Sequence, residues 1–77
     1  MPELVKAYIV ATVKRGTEHM VAEKFRKMKE VTEVLVTYGL WDIVARVEAK
    51  NLELLDKIIT DIRQIPEIEQ TSTLIGT

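Results

Sequence analysis

"IVATV" at residues 9–13 returns almost letter for letter as "IVARV" at residues 43–47. Short runs of this kind, rich in β-branched residues, are strand signals. The echo continues beyond them. Arg26, Glu30 and Gly39 are answered by Arg63, Glu67 and Gly76, and Met28 and Val31 by Ile65 and Ile68. Each half therefore reads strand, helix, strand, the second slightly longer in its middle, and a duplication of this kind constrains topology first.

The helical segments follow the period of an amphipathic helix. Val21, Ala22, Phe25 and Met28 form one stripe, with Glu23, Lys24, Arg26 and Lys27 on the remaining arc. Thr17, after Gly16, is the expected N-cap, and Glu18 suits the positive end of the helix dipole. In the second half Leu55, Ile58, Ile59, Ile62 and Ile65 make the stripe, capped by Asn51 and stopped by Pro66. A helix with one apolar face must lay it on something, and the strands supply it. Val5, Ala7, Ile9, Ala11 and Val13 occupy one phase of period two; Val34, Val36, Ile43, Ala45 and Val47 continue that phase. Strands two and three join through Gly39 to Trp41, short enough for a hairpin. Two such halves in series give βαββαβ. Residues 1–77 are thus expected to form a single α+β domain, a ferredoxin-like sandwich with an antiparallel four-stranded sheet and two helices on one face.

That arrangement leaves the other sheet face bare. Lys6, Tyr8, Val10, Thr12, Leu35, Thr37, Val44 and Arg46 fall on it, with either Thr71, Thr73 and Ile75 or Gln70, Ser72 and Leu74 from the last strand. A solvated face is mostly polar, whereas Tyr8, Val10, Leu35 and Val44 lie near its middle. A second copy, packed sheet to sheet in a two-fold dimer, is the expected cover.

Composition narrows the function. Formal net charge is −1, with Lys and Arg interspersed among Asp and Glu, so no basic field for nucleic acid is expected. No cysteine is present, which removes thiolate metal sites and disulfides and fits a cytoplasmic protein. No apolar run approaches the roughly 18 residues of a membrane span. The single histidine, His19, has no partner for a metal centre, and Gly16, Gly39 and Gly76 build no phosphate loop. No cofactor is implied. An RNA-binding sheet needs stacking aromatics, and of these the central strands carry only Tyr8. A dimeric α+β barrel enzyme would have only His19 and Tyr8 to work with.

The order of elements, together with "AYIVATVKRG", "EVTEVLVTYGLWDIVARVEA" and "IRQIPEIEQTSTLI", resembles the RAM domain of the Lrp/AsnC (feast/famine) transcriptional regulators along nearly the whole chain. The Gly39-x-x-Asp42 step and Thr71-Ser72-Thr73 are the most specific of these marks. Members of that family carry a helix-turn-helix ahead of this domain. Here the first strand is expected by about Val5, so the chain reads as a stand-alone module without DNA binding of its own. Leu40 stands where many members carry a polar residue. An ACT-like allosteric module would share the fold and ligand class.

The resemblance implies a homo-oligomer, a dimer through the sheets and often an octameric ring of dimers, with amino-acid effectors in clefts between dimers. Carried onto this sequence, it implicates Thr37, Tyr38, Gly39 and Asp42 of the hairpin, with Thr71 and Thr73 from a neighbouring subunit. Glycine admits a zwitterion close to backbone N–H groups, and an aspartate pairs with an α-ammonium. Trp41 is expected at a subunit contact rather than on the ligand. A full-length Lrp/AsnC-type regulator is the further partner implied.

Overall fold

The computed structural model describes residues 4–76. The elements run β1 (Val5–Val13), α1 (Glu18–Arg26), β2 (Val31–Val36), β3 (Ile43–Ala49), α2 (Leu52–Arg63) and β4 (Ile68–Ile75). The four strands form one sheet in the order β2-β3-β1-β4, every pair antiparallel. This is the expected ferredoxin-like βαββαβ sandwich.

One phase of the alternation makes the core. Ala7, Ile9, Ile43, Ala45 and Val47 are buried in a single cluster with Val21, Ala22 and Phe25 of α1 and Leu55, Ile58 and Ile62 of α2. Because those strand residues share a face, both helices cover that face. Alanines at the centre of β1 and β3 let the helices settle close, and Phe25 fills the space between layers. Full burial of a side chain such as Ile62 or Phe25 contributes about 1.5–3 kcal/mol.

The helix ends show which local rules held. Asn51 caps α2 as expected, its Oδ1 accepting from Leu54 N–H at 2.8 Å. Thr17 occupies the N-cap position of α1 but does not cap it. Its Oγ1 donates to Lys14 O at 2.6 Å, closing the turn that Gly16 makes at φ +86°. The α1 stripe also ends sooner than its period suggested: Met28 packs on the core from the turn after Arg26. Likewise, Ile65 is buried just beyond the end of α2, and Pro66 follows it.

The last strand resolves its two candidate phases through pairing. Thr12, Val10 and Tyr8 stand opposite Gln70, Ser72 and Leu74, which therefore share the open face. Thr71 and Thr73 stand opposite Ala11 and Ile9 on the helix-covered side. A register shift between Thr12 and Val13 leaves Glu69 without an opposite residue, a bulge that redirects the strand end.

Candidate functional site

The β2–β3 connection is held by backbone and side chain together. Thr37 N–H donates to Asp42 O at 2.8 Å, and Thr37 Oγ1 donates to Trp41 O at 2.7 Å. Gly39 sits at φ +125°, a conformation that strains any residue with a Cβ. Tyr38 and Leu40 beside it are fully exposed, whereas Trp41 is half-buried.

Asp42 fastens this hairpin to β1. Its N–H donates to Ala11 O at 2.9 Å, and its Oδ2 accepts from Val13 N–H at 2.9 Å. The β1–β3 ladder stops at the Ala11–Ile43 pair, so Val13 N–H has no strand partner on that side; the carboxylate provides one. That bond leaves Oδ1 and the second lone pair of Oδ2 for a ligand. The turn role of Asp42 comes first in the geometry.

Asp42 also borders a polar cleft of about 410 Å³ with Val13, Arg15, Glu18 and Glu69. Three of these escaped the sequence reading. The bulge in β4 delivers Glu69, the Gly16 turn delivers Arg15, and Glu18 arrives with the first turn of α1. Glu18 Oε1 is buried without a hydrogen-bond partner. In the sequence these residues look like ordinary surface charges far apart, and only the bulge and the turn bring them together.

Thr71 and Thr73 do not join the hairpin within one chain. They are half-buried on β4, on the far side of β1 from Asp42. Tyr8, Val10, Leu35 and Val44 do lie together: Leu35, Val44, Val10 and Ser72 form one row across the open face, and Tyr8 lies in the adjoining row. Exposed His19, on α1, is separated from Tyr8 by the whole sheet. Among the described residues, no group of three or more His, Cys, Asp or Glu side chains could hold a metal ion, and no helix is long and apolar enough to cross a membrane.

The Lrp/AsnC ligand binding domain matches residues 6–76. The HTH-type transcriptional regulator FL11 of Pyrococcus horikoshii is 38% identical over 69 residues, covering 90% of this chain and 46% of the regulator. The chain thus spans about half the length of the curated regulators it matches. The crystal structure of FFRP-DM1 is 43% identical and superposes with a TM-score of 0.92 over 95% of this chain and 99% of that one. Escherichia coli AsnC is 30% identical, with a TM-score of 0.85 over 94% of this chain and 50% of its own. With relatives named as transcriptional regulators and a ligand-binding domain matched almost end to end, the molecule is a regulatory domain rather than an enzyme.

Proposed function

The chain belongs to the Lrp/AsnC ligand-binding domain family, and from that premise we propose that it is an amino-acid-sensing assembly module. It self-associates through its open sheet face and contributes to transcription regulation in the cytoplasm through its partners, without touching DNA itself. Both helices bury their apolar faces on the sheet, and a formal net charge of −1 gives no overall basic field for phosphate, which supports a role away from the duplex. Mixed assembly with a full-length regulator of the same family would reduce the number of DNA-reading heads per particle. A ring of dimers is the larger assembly that suits a hairpin with exposed Tyr38 and Leu40 at its tip.

The observation that carries the effector reading is the hairpin itself. Gly39 leaves backbone open to a ligand carboxylate, and Asp42 stands ready-anchored by Val13 N–H, with its charge available to an ammonium group. Thr71 and Thr73 of a neighbouring copy complete the site in an assembly, since no single chain brings them there.

Trp41 is the only tryptophan and reports on this loop without a label. Titrating it with each common amino acid should give one selective, saturable change and a matching rise in Tm. Linkage makes that rise worth about 2.7 kcal/mol at a hundredfold excess over Kd. Asp42→Asn is the sharper variant than alanine, because it keeps an acceptor for Val13 N–H while removing the charge. The variant should fold normally and lose the ligand-linked rise in Tm. Silence of both signals for every amino acid overturns the effector reading.

A further inference from the structure

The polar cleft beside the hairpin holds charges of both signs that answer nothing within the chain. Arg15, Glu18, Asp42 and Glu69 line it. Among the described residues, none of the four takes part in an ion pair. They stand at two depths: Glu18 and Asp42 are half-buried, whereas Arg15 and Glu69 are exposed at the rim. Asp42 already accepts from Val13 N–H, but Glu18 Oε1 is shut off from water without a hydrogen-bond partner. A carboxylate oxygen in that position gives up its hydration and gains nothing in return, a cost that an arriving donor removes.

We propose that this cleft selects an amino-acid effector whose side chain ends in a cation, the class of lysine and arginine, and that Glu18 makes the selection. The inference rests on the effector reading proposed above and names the ligand class of that site. Charge matching carries it. In that reading the backbone at Gly39 meets the effector's carboxylate and Asp42 its α-ammonium. A neutral amino acid stops there, with Glu18 and Glu69 still to be answered. Arg15 can balance only one of them, and it shares the rim with Glu69. The deeper carboxylate, Glu18, is the one left over. A basic amino acid brings a second cation on a flexible chain that can reach down to it.

The other occupants fit less well. An acidic effector would add negative charge where carboxylates already outnumber the guanidinium. A long apolar side chain would find one apolar residue, Val13, among the five that line the cleft. A bare metal ion needs ligands drawn close around it. Among the described residues no three carboxylates gather in that way. They are spread instead round a volume of about 410 Å³, within the usual range of small-molecule sites. Glu69 keeps its water at the rim, so it draws cations toward the cleft without discriminating among them. Selection falls to Glu18, whose unpartnered oxygen only a donor can satisfy.

Paired ligands test this through Trp41 fluorescence and Tm. Lysine is set against norleucine, which carries the same four-carbon chain without the ammonium, and arginine against citrulline, whose terminal urea is neutral. In at least one pair the charged member should bind about tenfold or more tightly. Added salt should shrink the difference. Glu18→Gln suits a helix as well as the natural residue and removes the charge. It should bring the charged ligand down to the affinity of its neutral counterpart and leave the neutral one unchanged. A role for Glu18 confined to stabilising α1 would lower the ligand-free Tm and leave that ratio untouched. A preference that survives Glu18→Gln at full strength therefore overturns the assignment to Glu18. Neutral counterparts that bind the natural chain as tightly as the charged ones overturn the cation class and leave the effector site standing. Silence for every amino acid overturns the effector reading and this one with it.

Discussion

The two faces of this sheet are made by the same strands and differ in how they are finished. On one side Ala7, Ile9, Ile43, Ala45 and Val47 disappear beneath two helices. On the other, Tyr8, Leu35 and Leu74 keep 46%, 52% and 59% of their surface in water. Covering the first face is local: each helix is joined to its strands by short turns and carries a stripe that fits. Among the described residues no helix covers the second face, and its apolar row is the one proposed to pack between chains. Fold stability should therefore reside in one face and assembly in the other.

Truncating the closed face should have the largest effect. Ile62→Ala removes a fully buried side chain and leaves a cavity beneath α2, at a cost of about 2–5 kcal/mol. In a domain of 77 residues that is a large share of the whole stability. Thermal and urea unfolding should show it at any protein concentration, because the lost contacts lie within one chain.

The open face should respond the other way. Leu35→Glu places a carboxylate at the β2 end of the apolar row, on the face proposed to meet a second copy. The unfolding free energy of the diluted chain should change by less than about 0.5 kcal/mol, the usual range for surface positions. The dimer dissociation constant should rise by about a hundredfold or more, equivalent to roughly 2.8 kcal/mol. An unfolded Leu35→Glu chain at low concentration would show instead that the two faces are not separable, the monomer depending on its partner to fold.

This division was legible in the sequence because alternation with period two assigns residues to faces directly, as the duplicated IVATV and IVARV runs did. The Asn51 cap was legible for a similar reason: one side chain reaches one backbone N–H three residues on. The Thr17 cap was not. Its hydroxyl had a nearer acceptor in Lys14 O, presented by the left-handed turn at Gly16. The last strand kept both its phases open because threonine, serine and leucine suit either face, and only its pairing with β1 decides. Within the candidate site, the Gly39–Asp42 hairpin could be read as a turn. Its companions Arg15, Glu18 and Glu69 could not, because a bulge and a turn gather them from three separate segments.

The smallest effect concerns the rim of the closed face. Lys24 Nζ lies 3.1 Å from Glu67 Oε1, tying α1 to the turn before β4 from outside. The hydrogen bond from Lys24 holds the Glu67 carboxyl below its ordinary value, overcoming the opposite pull of desolvation. A depressed folded value means that the contribution is present above the unfolded carboxylate value of about 4.3 and is lost as pH falls through the folded one. Lys24→Met should therefore lower Tm slightly near neutral pH, and the gap from the natural chain should close as the solution is acidified toward about pH 3. Added salt should narrow the gap at neutral pH as well, since both side chains meet solvent. A gap that persists unchanged through acid would assign the loss to the packed methylenes of Lys24 rather than its charge. The closed face would then owe nothing to the Lys24–Glu67 ion pair at this edge.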